Sequence, residues 1–568
     1  MIRLFDQHRV RKQKELEGIW RFVREDGKEY SLPVPGVWEQ HPDFMRYRGK
    51  GTFYKRIYVA HKTNLHLIFK GVSHTGDVYL DDAFVVHHYN AFTPFEAVIQ
   101  GVEAGEHEIR VEVDNTFGEH SALHTPNDYY TYGGITRPVA MEELGDVYIK
   151  NAHFRPAMNE GKWTAKVEVW IENLSTEENV YTLETGLTER GASGERSFLA
   201  GSSHQCNITL APRETKLISW EQEYTDVESW KIGEGKLYYL ETALKDVNGN
   251  IADDYIDRVG FREVQLKGNR ILLNGESVFL KGFNRHEDYA TLGCAIPLQM
   301  MVEDLNIMQD LGSNAVRTCH YPNDERFLDL CDERGIMVWE ENHARGFVLE
   351  RMLNPNFEKQ CEDCIYEMIT YHYNHPSIVI WGILNECASE TEEGRQMYDK
   401  QFKQIKSLDT SRPTTFATCR HFKDICLDLP DIVSFNIYSG WYQDIGIKER
   451  HDQEMEWIAS AGGEGKPVIV SEFGAGGVYG FHDRARTKWS EERQMDILRE
   501  NLEVYRDDER VTGTFIWQFA DCRVTEEEWF ASRPRSHNNK GIVDEYRRPK
   551  LAYDTVKELF AELQPRKL

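Results

Sequence analysis

The feature that most restricts the fold is a change of rhythm near residue 265. Beyond it, short apolar runs alternate with longer stretches of helical period. Eight such runs stand out: VFLKGFN at 278–284, NAVRTCH at 314–320, IMVWEE at 336–341, IVIWGILNE at 378–386, TTFATC at 414–419, IVSFNIY at 432–438, PVIVSEF at 467–473 and GTFIWQFAD at 513–521. Apolar runs of this length read as strands buried on both faces, as in a parallel sheet. Helical segments such as PLQMMVEDLNIMQDLG at 297–312 and NDERFLDLCDERG at 323–335 lie between most of them. Eight strand–helix repeats over residues 266–568 predict a (β/α)8 TIM barrel, a fold that usually takes ~250 residues.

The earlier residues alternate apolar and polar positions over short runs, the pattern of half-buried strands. In residues 1–145 these runs include GTFYKRIYVA at 51–60, LHLIFKGV at 65–72 and HEIRVEV at 107–113, and predict a β-sandwich of jelly-roll type. Residues 146–265 carry WTAKVEVWIEN, TKLISWEQ and LYYLETALKD, and predict an immunoglobulin-like sandwich of the kind without a disulfide. The net charge is −27 and no polybasic block interrupts it, which argues against nucleic acid as a partner. An anionic ligand would therefore need its own local cations. No apolar run approaches the ~20 residues that span a bilayer, and residues 1–18 lack the apolar core of a secretory signal. The ten cysteines are scattered, and the one CxxC, Cys361 to Cys364, has no second pair to complete a zinc site. Free thiols in a reducing, cytoplasmic compartment are expected.

Barrel enzymes carry their chemistry at the C-terminal ends of the strands. Here those ends hold Asn284-Arg285-His286-Glu287, Arg317-Thr318-Cys319-His320, Glu340-Glu341, Asn385-Glu386, Asn436 with Tyr438, Glu472, and Trp517 with Asp521. Any one carboxylate at a strand end is commonly an ion-pair partner, and Glu287, Glu340 and Glu341 read that way. Glu386 and Glu472 differ, since each closes a strongly apolar strand and should face the barrel mouth. Two such carboxyls can divide glycoside hydrolysis between an acid/base and a nucleophile. Arg317 and Tyr438 are placed to keep the nucleophile ionised and oriented.

The stretches FNRHED at 283–288, VRTCHYP at 316–322, NHPSIVIWGILNE at 374–386 and VIVSEFG at 468–474 resemble those of family 2 glycoside hydrolases. The resemblance spans nearly the whole chain, as a sugar-binding jelly roll, an immunoglobulin-like domain and a catalytic barrel in that order. It implies Glu386 as acid/base, Glu472 as nucleophile, and Asn385 as the partner of the sugar 2-hydroxyl. It further implies a carbohydrate substrate, a homodimer or homotetramer, and no cofactor or required metal.

The sugar is read from the segment after the last strand. RPRSHNNKGIVDEYRRPK at 533–550 contains Asn538-Asn539-Lys540, similar to the Asn-x-Lys motif with which β-glucuronidases of the family bind the substrate carboxylate. By the same resemblance, Tyr438 and Tyr442 contact the sugar and Trp517 floors the site. Asp128, in the jelly-roll loop NDYYTYGGI at 127–135, binds a hydroxyl near C4, with His320 close to the same ring. The expected activity is retaining exo-β-glucuronidase, with β-galacturonidase or a mixed hexuronidase as the alternative. A neutral-sugar β-galactosidase would leave Lys540 without purpose, and a carbohydrate-binding protein with a dead barrel would not keep both glutamates. The departure is ENHARGF at 341–347, where many glucuronidases have small apolar residues in place of His343 and Arg345. Arg345 either meets the carboxylate or an axial C4 hydroxyl, or pairs with a rim acid. Arg533 and Arg535 either join the carboxylate site or stay solvated.

Overall fold

The computed structural model describes residues 2–567. A six-stranded antiparallel sheet built on Lys50–Val59 and Gly105–Asp114 faces a four-stranded sheet containing Thr63–Phe69 and Val139–Leu144. Their inner faces bury alternate residues, among them Phe22, Phe53, Leu65, Leu67, Val111 and Val113. Seven more strands form a second sandwich, three packed on four, from Val147–Asn159 to Ile251–Val259.

The eight apolar runs close into a parallel barrel. Its strands are β1 (Leu280–Arg285), β2 (Ala315–Thr318), β3 (Met337–Glu341), β4 (Ile378–Ile383), β5 (Thr414–Thr418), β6 (Val433–Asn436), β7 (Val468–Phe473) and β8 (Val511–Ile516). Nearly every residue in them is buried, as strands covered by an outer ring of helices require. A small sheet over 264–278 packs Ile271, Leu273 and Val278 against the N-terminal barrel layer of Met337, Trp339, Val379 and Phe515. That end is plugged, so the opposite rim is the open one.

Buried ion pairs fix the jelly roll on the barrel. Arg137 donates to Glu287 Oε2 at 2.6 Å and to the Pro322 carbonyl at 2.7 Å. Glu340 accepts from His372 at 2.9 Å, and Glu341 lies between Arg317 and His320. Of the three carboxylates set aside from the sequence, Glu287 and Glu341 are thus ion-pair partners of arginines, and Glu340 accepts hydrogen bonds from His372 and the Asn323 N–H. The docking carries the jelly-roll loop over the barrel mouth. There the Asn127 N–H donates to Thr525 Oγ1 (3.1 Å), the Tyr129 hydroxyl meets His343 Nε2 (3.1 Å) and the Tyr132 hydroxyl donates to Asp288 (2.8 Å).

Candidate active site

A cavity of about 320 Å³ opens at the C-terminal barrel rim. Glu386, Asn436 and Glu472 come from the ends of β4, β6 and β7. Cys419, His421, Tyr438, Tyr442, Gln443, Trp517, Trp529, Arg533 and Lys540 come from loops after β5, β6 and β8, Arg345 from the loop after β3, and Asp128 from the jelly roll.

Glu386 reaches the cavity through a tight turn. Leu384 and Glu386 have left-handed backbones, with φ of 44° and 54°, a conformation that costs a residue with a side chain on the order of 1–3 kcal/mol. Two bonds hold it: the Leu384 N–H donates to Asn342 Oδ1 (3.0 Å) and the Glu386 N–H to the Ala417 carbonyl (2.8 Å). The carboxyl accepts from Asn436 Nδ2 at 3.0 Å, and Arg345 lies 3.5 Å from its other oxygen.

Glu472 is bound at both oxygens, by Arg317 (3.0 Å) and by the Tyr438 hydroxyl (2.8 Å). Arg317 is fully buried beneath the cavity and also donates to Glu341, Asn284 and Asn385. Burial and the charge of Glu386 push the Glu472 carboxyl up to about 7, against the pull of Arg317 and Tyr438. The guanidinium and the Tyr438 hydroxyl both favour the ionised form of Glu472.

At the other end Lys540 is 2% exposed, and its ammonium donates to the Tyr442 hydroxyl at 2.9 Å. It sits over the rings of Tyr438 and Tyr442, 5.6 and 5.1 Å from their centroids. Burial and the nearby Arg533 lower its pKa. Among the described residues no carboxylate lies within ion-pair distance of it. Arg533 grips Asp128 through two nitrogens, Nε at 3.0 Å, and Asn538 Nδ2 donates to the same carboxylate at 2.9 Å. Arg345 donates to Asn127 Oδ1 at 2.8 Å, so it spans from Glu386 to the loop that carries Asp128.

The expected residues converge, but not all reach the cavity wall. Asn538 is fully buried and gives its amide to Asp128, because the bridge between 522–523 and 537–538 pins it behind that loop. It is a support for Asp128, not a wall residue beside Lys540. His320 is also fully buried, stacked on Trp517 with ring centroids 5.2 Å apart. Its Nδ1 lies 2.7 Å from Glu341 and its Nε2 3.8 Å from Glu472. Asn385 lies just under the surface: its Oδ1 accepts from Arg317 and Asn436, and its Nδ2 has no partner among the described residues. Arg345 does pair with a rim acid, and that acid is Glu386. Arg535 pairs outward with Glu545. Among the described residues two buried groups could hold an ion, His286-Cys319-His320 and Asp329-Asp332-His375, and neither lines the cavity.

The sequence matches the sugar binding domain of glycosyl hydrolases family 2 over residues 32–144, a second family 2 domain over 147–262 and the family 2 TIM barrel domain over 264–565. The chain is a family 2 glycoside hydrolase. A crystal structure of a GH2 β-galacturonidase from Eisenbergiella tayi bound to galacturonate is 48% identical, with a TM-score of 0.95 over 100% of both chains. The β-glucuronidases of Sus scrofa and Paenibacillus borealis are each 26% identical over 98% of this chain, covering 92% and 98% of their own lengths.

As a family 2 hydrolase the chain acts on carbohydrate, and parts of its cavity escaped the sequence reading. Asn436 was visible at a strand end, yet its bond to Glu386 depends on the sheet. Cys419 and His421 follow β5, the one strand whose end was passed over. Trp529 lies in the long loop after β8, where no periodicity marks it.

Proposed function

We propose that the protein is a retaining, exo-acting β-hexuronidase, cleaving terminal β-D-galacturonides in preference to glucuronides. The observation that carries this reading is Lys540: a buried ammonium with no carboxylate within ion-pair distance among the described residues, in the same cavity as Glu386 and Glu472. A uronate supplies the missing anion through a charge-assisted bond. A neutral sugar leaves the ammonium desolvated and unpaired. The Asp128 loop and the segment around Trp529 and Arg533 wall that end, which suits cleavage of a terminal residue.

In this reading the Glu472 carboxylate attacks the anomeric carbon while Glu386 gives its proton to the departing glycosidic oxygen. The C1–O bond breaks as the C1–Glu472 ester forms. Glu386, now ionised, takes a proton from water, and the water oxygen displaces Glu472 with net retention. Arg317 and Tyr438 orient Glu472. The unpartnered Asn385 Nδ2 is the donor for the 2-hydroxyl, and Asn538 and Arg533 hold Asp128 toward the C4 side. Support for galacturonide comes from Arg345, which runs from Glu386 at the C1 end to Asn127 at the far end. A guanidinium across the ring face meets an axial C4 hydroxyl more readily than an equatorial one. The identity of 48% to the Eisenbergiella tayi β-galacturonidase points the same way, while the curated β-glucuronidases support glucuronide as the second reading. All ten cysteines are free thiols, in keeping with a reducing, cytoplasmic setting, where we expect a homo-oligomer.

The test compares kcat/KM on 4-nitrophenyl β-D-galacturonide, β-D-glucuronide and β-D-galactoside. Preference for the galacturonide supports the proposal, and preference for the glucuronide moves it to the second reading. Turnover of the galactoside alone refutes the role given to Lys540.

A further inference from the structure

The cavity has a third side that the reaction above leaves unused. Where β5 ends, the chain is laced to the backbone of Glu386: the Glu386 N–H bonds the Ala417 carbonyl at 2.8 Å, and Arg420 donates to the Glu386 carbonyl at 3.1 Å and the Cys387 carbonyl at 3.3 Å. This fixes the next side chain, His421, on the cavity wall beside Glu386. Lys540, Arg533 and Asp128 belong to the opposite side, built from the loop after β8 and the jelly roll. In a retaining hydrolase the proton donor stands against the glycosidic oxygen, so the leaving group extends past it, away from the sugar's anchors. His421 shares the cavity wall with Glu386, on the segment bonded to the Glu386 backbone.

The His421 ring packs against a buried carboxylate: its Nδ1 lies 2.6 Å from Glu454 Oε1, though not aligned as a hydrogen bond, and Arg450 donates to the same oxygen at 2.6 Å. Glu454 is 0% exposed, and Arg450 lies 4.6 Å above the Phe422 ring. Contact with that buried carboxylate limits how the ring can turn. The other ring nitrogen, Nε2, accepts or donates according to the form of the imidazole. A hydroxyl satisfies either state, because it both donates and accepts.

We propose that His421, fixed by Glu454, forms a leaving-group subsite that selects hydroxyl-bearing leaving groups, namely a second sugar residue, over apolar or aromatic ones. Glu386 remains the proton donor, and His421 binds the leaving group without touching the reacting atoms. Glu454 is a positioning residue acting through His421. The inference rests on the hydrolase roles given to Glu386 and Glu472, and it adds the chemistry of the group that departs.

The experiment compares a β-uronosyl disaccharide with the matching 4-nitrophenyl uronide, in the wild-type chain and in His421→Phe, His421→Gln and Glu454→Gln. One neutral hydrogen bond corresponds to about three- to tenfold. His421→Phe should lower kcat/KM on the disaccharide by that factor relative to its effect on the nitrophenyl uronide. His421→Gln, which keeps a polar atom in the cavity, should restore most of the loss. Glu454→Gln should reproduce part of it, with KM moving more than kcat. Equal losses on both substrates, or none on either, overturn the subsite. Should wild type cleave neither uronide, the hexuronidase reading itself fails, an outcome distinct from a wild type that cleaves both and is indifferent to His421.

Discussion

Replacing Lys540 with Ala separates a carboxylate-binding site from a merely cationic loop. In the free protein Lys540 is 2% exposed, and among the described residues its ammonium is bonded to the Tyr442 hydroxyl. In the complex it would meet the sugar carboxylate in a water-poor cavity. Truncating one partner of such a buried pair costs roughly 2–5 kcal/mol. Arg533 remains close and compensates in part, though its two-pronged grip on Asp128 ties it down. The lower half of the range applies, about 2–3 kcal/mol, or a loss of about 30- to 150-fold in kcat/KM on uronides. Neutral glycosides gain no carboxylate contact and should lose less than threefold. Fold stability supplies an internal control. A desolvated ammonium without a counter-ion costs free energy, so Lys540→Ala should leave the melting temperature unchanged or raise it. The assay is initial rates on 4-nitrophenyl uronides and the β-galactoside, with melting followed on the same preparations. Parallel losses on charged and neutral substrates at constant stability would refute the reasoning.

Other expectations follow from the same geometry. Glu472→Gln should abolish measurable turnover of every substrate. Glu386→Gln should lose about 10²–10⁴-fold on natural leaving groups but far less on nitrophenol, which departs without a proton; steady-state kinetics on both substrates reads the difference. Glu472 attacks as a carboxylate, and burial and the charge of Glu386 push it up to about 7, so kcat/KM should fall as pH drops through that value. Arg345 is one of the charges that pull Glu472 back down, so Arg345→Ala should carry this acid limb to higher pH; an unmoved limb contradicts that coupling. Arg137→Ala strands the buried Glu287 at the junction of jelly roll and barrel. A loss of about 3–5 kcal/mol is expected in denaturant unfolding, with activity falling as the Asp128 loop loosens.

Much of this protein is legible in the order of its residues. The two periodicities, alternating before residue 265 and strand–helix after it, depend on which faces must be buried, and burial is a local demand on each element. Glu386, Glu472 and Tyr438 were found for a related reason: a polar residue closing an apolar barrel strand has only the rim to go to. Tertiary structure decided what the strand-end rule cannot reach. Asn538 stands two residues from Lys540 in the chain, yet one supports Asp128 and the other lines the cavity, because a short two-stranded bridge turns the backbone between them. Arg345 could be read three ways until the docking of the jelly roll brought Asn127 to one side of it while the turn after β4 set Glu386 on the other. His421 gave no signal at all, since its meaning depends on Glu454, a residue of the helix after β6. A sequence dictates which groups must leave water. Which of them then meet is decided by closing the barrel and seating a second domain on its rim, where contacts form between residues hundreds of positions apart.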